Sequence, residues 1–268
     1  MITKTALRTI SRSLSKSTDK LHARTAGIII IGDEILKGEV VDTNSTFIVK
    51  NLYKLGVRVK RISVIGDEIN EICNEVKHFS NEYTYVITSG GIGPTHDDVT
   101  FEAVAKAFDE PLVPHPTLVN LCSQYFGTSD LNCPGMKLAY VPKSAKLTFG
   151  DNPHKHYPNI SIKNVYIFPG IPQFLEKLFT CLGSKLFQSE QKFFKKIVLF
   201  NVTEKQIVSI LNQLVAEFPN VIFGSYPVVG NNYYKVKVML EATEESFIIA
   251  AHEKMLQVFP KEYIVENV

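Results

Sequence analysis

A glycine-rich loop between a buried strand and a helix constrains the fold of this chain more than any other feature. The loop runs from Ser89 to Thr100 with the sequence SGGIGPTHDDVT. The apolar run Tyr85-Val86-Ile87 leads into it, and apolar residues recur at helical spacing after it, at Phe101, Val104, Ala105 and Phe108. This strand, loop and helix order predicts an open α/β sheet, in which ligands bind beyond the carboxyl ends of the strands.

The same loop combines an anion cradle with two adjacent carboxylates. Backbone amides at a glycine turn before a helix attract phosphate, and Gly90, Gly91 and Gly93 would permit such a turn. Asp97 and Asp98 would each repel a phosphate oxygen about 4 Å away by about 4 kcal/mol at an effective dielectric of about 20. A hard divalent cation between carboxylate and phosphate reverses that sign. The loop therefore predicts metal-dependent chemistry on phosphates, although the glycines could serve only a tight turn and Asp98 or Thr100 could only cap the next helix.

The composition is that of a globular protein and excludes several classes of function. Of the 268 residues, 45% are hydrophobic and 21% are charged, with a net charge of +2. No basic footprint over the folded part points to nucleic acid. The four cysteines contain no C-x-x-C pair, and no apolar run approaches the roughly 20 residues needed to cross a bilayer. We expect neither nucleic-acid binding nor membrane insertion, and the sequence leaves a homo-oligomer open.

The first 24 residues differ in kind from the rest. Their basic residues stand four apart, at Lys4, Arg8, Arg12, Lys16, Lys20 and Arg24, against the single acid Asp19. On a helix this spacing makes a basic stripe, which is typical of a mitochondrial presequence. We predict a targeting leader over residues 1–24 and a location in the mitochondrial matrix, with a flexible leader on a cytoplasmic protein as the alternative.

Strand and helix patterns alternate through residues 25–186. Apolar strand patterns at 28–31, 57–64, 85–88 and 165–168 alternate with helical patterns that begin near 43, 69, 100 and 172. The alternation predicts right-handed crossovers and a mainly parallel sheet covered on both faces. Seven prolines interrupt residues 109–160, where no detail is predicted. Over residues 187–268, a strand, a helix, two strands and a last helix predict a small α+β domain.

Four motifs carry a specific resemblance to a known family. They are Gly32-Asp33-Glu34-Ile35-Leu36-Lys37-Gly38, Asp42-Thr43-Asn44, the loop from Gly90 to Asp98, and Phe168-Pro169-Gly170-Ile171-Pro172. Their order and spacing resemble the MoaB/Mog molybdopterin-binding domain family. Within it, the chain is most similar to the N-terminal domain of eukaryotic FAD synthase and more distantly similar to the N-terminal part of CinA proteins. The resemblance covers roughly residues 25–268 and implies a three-layer α/β fold followed by a small α+β domain.

The resemblance also implies a set of site residues. Asp97 and Asp98 would bind a divalent metal ion, Mg²⁺, Mn²⁺ or Co²⁺, and serve catalysis. The ligand, a small-molecule dinucleotide, would be held by residues of the loop and of neighbouring strand ends, namely Gly90, Gly91, Gly93, Thr95, Asp33, Glu34, Asp42, Asn44, Pro169 and Gly170. Asp42 could instead cap a helix. Bacterial relatives often have an acid shortly after the Pro-Gly pair, whereas this chain has Gln173 and Phe174 there.

Three functions are compatible with the resemblance. The first is hydrolysis of a nucleotide pyrophosphate, above all of FAD to FMN and AMP. FAD synthesis is not expected, because the chain stops where FAD synthase would continue into its adenylyl-transferring domain. The second is molybdopterin adenylyl transfer in molybdenum cofactor assembly, and the third is a flavin-nucleotide-binding module without turnover. The general base is left open, since a lone loop histidine such as His96 is more often solvent-facing.

Overall fold

The structure is a computed structural model that describes residues 24–150 and 157–265. The predicted leader therefore lies, up to residue 23, outside the described residues. The chain forms two compact units, and the boundary between them lies between Glu190 and Gln191. No helix in the described ranges has the length and apolar character needed to cross a membrane.

The first unit is built around a six-stranded sheet. Its elements in chain order are β1 (Thr25–Ile31), α1 (Asp33–Leu36), α2 (Asn44–Lys54), β2 (Arg58–Ile65), α3 (Ile69–Glu82), β3 (Tyr85–Ser89), α4 (Thr100–Ala107), β4 (Leu112–Pro114), α5 (Pro116–Phe126), a 3-10 helix (Pro134–Ala139), β5 (Tyr140–Pro142), β6 (Lys146–Thr148), β7 (Asn159–Ile162), β8 (Val165–Phe168) and α6 (Pro172–Leu186).

The sheet is mainly parallel, as predicted. Its strand order is β2-β1-β3-β8-β7-β6. Strands β2, β1, β3 and β8 run parallel. Strand β7 pairs antiparallel with β8, and β6 pairs antiparallel with β7. After β1 the chain places β2 on one side of that strand and β3 on the other. The reversal makes the gap between β1 and β3 the topological switch point, where α/β sheets bind ligands.

Alternating residues of β1 divide the core into two layers, one on each face of the sheet. Ile28 and Ile30 pack with residues of α2 and α6, among them Ile48, Leu52, Leu175 and Phe179. Ile29 and Ile31 pack with residues of α3 and α4, among them Ile72, Val76, Phe79 and Val104. These four isoleucines are at most 2% exposed, so each contributes about 1.5–3 kcal/mol of burial. The carboxyl end of β1 is therefore firmly held.

Residues 109–160 contain more regular structure than their prolines suggest. Strands β4 and β5 pair antiparallel over three residues each, and β6 and β7 extend the main sheet. Strands this short carry too few residues for a period to be recognised in the sequence. Several of the prolines stand at element ends, such as Pro116 at the start of α5 and Pro134 at the start of the 3-10 helix.

The second unit is a three-stranded antiparallel sheet with two helices. Its elements are β9 (Phe194–Phe200), α7 (Glu204–Glu217), β10 (Ile222–Pro227), β11 (Val236–Ala242), α8 (Glu245–Val258) and a 3-10 helix (Lys261–Tyr263). The strand order is β10-β11-β9. Alternate residues of β11 are buried together with residues of α7 and α8. The predicted order of elements is confirmed.

Candidate functional site

The candidate site is a crevice formed by the segments that follow the carboxyl ends of β1, β2, β3 and β8. The last residues of β1 and β2, Ile31 and Ile65, are paired, and Ile30 of β1 pairs with Ser89 of β3. Ser89 in turn pairs with Phe168 of β8. The four segments therefore start side by side at the switch point.

The glycine cradle, residues 90–93, follows β3 and has a shape that only glycine permits. Gly90 has a φ of +114°, and a side chain there would overlap the Ile31 carbonyl oxygen. Gly91 has a φ of +61°, and a side chain there would overlap the Thr100 hydroxyl. That hydroxyl donates to the Gly90 carbonyl at 2.8 Å and is fully buried. Both glycines are thus required by the backbone path.

The cradle presents unpaired backbone donors. Within the described part of the chain, the N–H groups of Gly91, Ile92 and Gly93 donate no hydrogen bond. Backbone amides left unpaired and half-exposed in consecutive residues form a concave site for anions. The start of α4 lies next to the cradle, since the Thr100 N–H donates to the Gly91 carbonyl at 3.1 Å. The cradle is chemically suited to a phosphate group.

Two identical pentapeptides place acids beside the cradle. The sequence IGDEI occurs at residues 31–35 after β1 and at 65–69 after β2. The two copies are linked, because the Asp33 N–H donates to the Asp67 carboxylate at 2.9 Å and the Asp67 N–H donates to the Asp33 carboxylate at 3.4 Å. A side-chain carbon at Gly91 would lie 3.5 Å from the Asp67 carboxylate. Asp67 thus faces the cradle directly.

Four carboxylates share this edge of the sheet: Asp33, Glu34, Asp67 and Asp97. Partial burial raises the pKa of Asp67, as do the negative charges of Glu34, Asp33 and Asp97, while the hydrogen bond from the Asp33 N–H opposes the rise. Lys37 offsets part of the charge, since its ammonium lies 3.3 Å from the Asp33 carboxylate. The remaining negative charge favours a cation in the crevice.

Asp97 and Asp98 have different surroundings. Asp98 accepts the Thr95 N–H at 2.8 Å and the Thr95 hydroxyl, and its carboxylate occupies the space beside Gly93. Asp97 is exposed, and its pKa is lowered first by the nearby Thr95 side chain, then by its own backbone amide and the charges of His96 and Lys137. Asp98 therefore shapes the turn, and Asp97 is the ionised acid that remains accessible to a ligand.

Asn44 ties the opposite wall of the crevice to the strand that carries the cradle. Its amide donates to the Ser89 hydroxyl at 3.0 Å and to the Gly170 carbonyl at 2.7 Å. The Ser89 hydroxyl donates onward to the Pro169 carbonyl at 3.1 Å. A side-chain carbon at Gly170 would lie 3.1 Å from the Gly90 α-carbon. Asn44 is 8% exposed, and its carbonyl oxygen is buried without a partner in the described structure.

Asp42 and the other residues that the sequence analysis discussed, His96, Gln173 and Phe174, lie at the rim or serve the backbone. Asp42 accepts the Ser45 N–H at 2.9 Å and so caps the start of α2. The His96 side chain is 98% exposed and its ring nitrogen lies 3.8 Å from the Asp97 carboxylate. Gln173 and Phe174 are exposed in the first turn of α6. Of this group, only His96 stands beside one of the crevice acids.

The oxygen donors of the crevice fit a hard divalent cation that is held partly by the protein and partly by the phosphates of a bound substrate. Among the described residues, no three acidic, histidine or cysteine side chains converge closely enough to hold a metal ion by themselves. Mg²⁺ typically keeps several waters and binds through one or two carboxylates plus substrate phosphates. The Asp67 carboxylate beside Gly91 and the exposed Asp97 carboxylate on the same loop as the cradle match that mode. Asp33 and Glu34 would add charge from the neighbouring strand end.

Sequence reasoning missed four residues of the crevice: Asp67, Ser89, Thr100 and Lys137. Asp67 had a readable signal, because the IGDEI repeat places the same acid after two strands that a parallel sheet brings together. The other three residues form hydrogen bonds to backbone carbonyls: Ser89 to Pro169, Thr100 to Gly90 and Lys137 to Thr95. No pattern in the chain marks those contacts.

Comparison with known proteins agrees with this architecture. A family model described as a probable molybdopterin binding domain matches residues 27–188, and one described as the FAD synthase middle domain matches residues 192–268. A probable FAD synthase of Caenorhabditis briggsae is 37% identical over 88% of this chain and 50% of its own length. A Pyrococcus furiosus protein is 33% identical over 86% of this chain and 95% of its own length.

The chain spans about half the length of the probable FAD synthases that it matches. Among solved structures, the protein CinA from Thermoplasma acidophilum, described as having unknown function, is 30% identical with a TM-score of 0.56. It aligns with 61% of this chain and 98% of its own. The chain therefore belongs to the molybdopterin-binding domain family, and the region after that domain matches the model of the FAD synthase middle domain.

Proposed function

We propose that this chain hydrolyses the pyrophosphate bond of a dinucleotide in the presence of a divalent metal ion, with FAD as the substrate and FMN and AMP as products. The observation that carries the proposal is that four electrostatically coupled acids, Asp33, Glu34, Asp67 and Asp97, lie at the same edge of the sheet as three unpaired amides of the cradle, with Asp67 directly beside Gly91. Acids repel a bare diphosphate, and amides attract it. The two features are compatible when a cation is shared between them. Similarity to probable FAD synthases supports a flavin dinucleotide as the ligand.

In this proposal the chain's own residues bind and orient the diphosphate. The N–H groups of Gly91, Ile92 and Gly93 hold its oxygens, and the start of α4 adds the favourable end of a helix dipole. Asn44 keeps the segment at Gly170 close to Gly90. The distance between the two walls of the crevice, where the diphosphate would bind, is therefore fixed. Bound in the crevice, a divalent cation would supply positive charge that polarises phosphorus and lowers the pKa of attacking water.

The reaction needs no covalent intermediate on the protein. Water adds its oxygen to one phosphorus, the bond from that phosphorus to the bridging oxygen breaks, and the released protons go to solvent. Asp97 stays ionised because its pKa is lowered, so it can hold a cation across the working pH range. Asp67 borders the cradle, because a side-chain carbon at Gly91 would lie 3.5 Å from its carboxylate, so it is placed to hold the cation together with Asp97.

Incubation of purified protein with FAD tests the proposal. Mg²⁺, Mn²⁺ or Co²⁺ is added, and FMN and AMP are resolved by chromatography, with a chelator as the negative control. We expect metal-dependent release of equal amounts of FMN and AMP, and loss of that release in D67N and D97N. An adenylylated product formed from ATP and a pterin dithiolene would favour the transferase instead. Tight FAD binding without cleavage by any metal would favour a binding module.

A further inference from the structure

The turn that carries Asp97, residues 94–97, has little support of its own. All four residues are exposed. Asp98 closes the turn from below by accepting the Thr95 N–H and hydroxyl. Within the described residues, the turn makes no backbone hydrogen bond to a strand or helix. The direction of the Asp97 carboxylate therefore depends on whatever contacts the turn from outside.

Lys137 makes that outside contact. Its ammonium donates to the Thr95 carbonyl at 2.6 Å, across 42 positions of sequence. The 3-10 helix that carries Lys137 is anchored in the core, because its neighbour Met136 is fully buried and Ala139 is also fully buried. The Ala139 carbonyl accepts the His115 N–H at 2.9 Å. Lys137 thus connects a 3-10 helix that is packed in the core to an exposed turn.

The chemistry of the ammonium suits this role. It has three donors, and one is used on the Thr95 carbonyl. Its positive charge lies near Asp97, in a crevice where Lys37 is already paired with Asp33. A cation at this position holds the turn by a charge-assisted hydrogen bond and offsets the repulsion between Asp97 and the other crevice acids.

We propose that Lys137 is a positioning residue, which holds the 94–97 turn through the Thr95 carbonyl so that Asp97 faces Asp67 across the glycine cradle. This inference deepens the proposed function and rests on its metal site for the Mn²⁺ readout, whereas the amide-exchange readout is independent of it. Lys137 acts through the turn. It requires no contact with the reacting phosphorus.

The test uses the full chain with K137M, which keeps the aliphatic stem and removes the donor and the charge. K106M is the matched control, because the Lys106 ammonium donates to the Asn70 side chain at 2.7 Å in an equally exposed pair away from the turn. Amide exchange of Thr95, whose N–H is bonded to Asp98, is followed by NMR. We expect about fivefold faster exchange in K137M and no change in K106M.

Binding of Mn²⁺ in the presence of ADP gives the second readout. We expect weaker binding in K137M, unchanged binding in K106M, and recovery in K137R, whose guanidinium also reaches a carbonyl. K137Q serves if K137M unfolds. Equal Thr95 exchange and equal Mn²⁺ binding in K137M and wild type would overturn the proposal. If no variant and no wild type cleaves FAD, while the exchange and binding effects appear, the proposed function fails and the role of Lys137 stands.

Discussion

The substitution Asn44→Ala tests whether the Asn44 side chain links the two walls of the crevice. The substitution removes a buried hydrogen bond, at 3.0 Å to the Ser89 hydroxyl, and a partly buried one, at 2.7 Å to the Gly170 carbonyl. Each is worth about 1 kcal/mol net, and the Gly170 carbonyl loses its partner. Loss of the unpaired Asn44 carbonyl oxygen offsets part of the cost. We therefore expect a loss of about 2 kcal/mol, which for a unit of this size lowers the melting temperature by about 4–8 °C.

The control is Asn51→Ala on the same helix. The Asn51 amide donates to the Phe47 carbonyl at 2.9 Å, within one turn of α2, so it crosses no crevice. Thermal unfolding by circular dichroism is measured for both variants, with binding of ADP and Mn²⁺ as a second readout. Asn44→Ala should lose more stability than Asn51→Ala, and it alone should weaken ADP binding. Equal losses of stability and unchanged ADP binding in both variants would refute the reasoning.

Three further predictions concern other parts of the chain. Burial and the nearby acids raise the pKa of Asp67, so the folded state binds the Asp67 proton more tightly than the unfolded state and loses stability as pH rises through the carboxyl range. D67N should therefore raise the melting temperature at neutral pH, and the gain should vanish as pH falls through that range; a constant gain would contradict this. Gly90→Ala should prevent stable folding because of its overlap with the Ile31 carbonyl, whereas Gly38→Ala, at φ +72° with open space around it, should cost about 1 kcal/mol; similar melting temperatures would contradict this. Residues 1–24 fused to a fluorescent protein should direct it to mitochondria, and a uniformly cytosolic signal would contradict targeting.

The strands and helices of the crevice could be predicted because their patterns are long and strongly apolar. The run of isoleucines in β1 and the helical spacing of Ile48 and Leu52 in α2 leave few alternatives. The antiparallel strands β6 and β7, three and four residues long, could not be predicted, since neither is a continuous apolar run like the equally short β8.

The cradle and the acids of the candidate site could be picked out from the sequence, but the contacts that distinguish their roles could not. Glycine spacing and the adjacent acids placed the cradle and Asp97. The direction of the Asp98 carboxylate depends on the backbone of the turn, and no spacing rule fixes it. The partners of Asn44 lie 45 and 126 positions away, so only the folded chain brings them together.

The central claim is that the crevice binds a divalent cation and a diphosphate together. Mn²⁺ binding measured by electron paramagnetic resonance, with and without ADP, tests it most directly. We expect weak binding of Mn²⁺ alone, because no three acidic, histidine or cysteine side chains of the described residues enclose an ion, and binding about tenfold or more tighter when ADP is present. D67N and D97N should each abolish that increase. Mn²⁺ affinity that is the same with and without ADP, or an increase that survives in both variants, would contradict the claim.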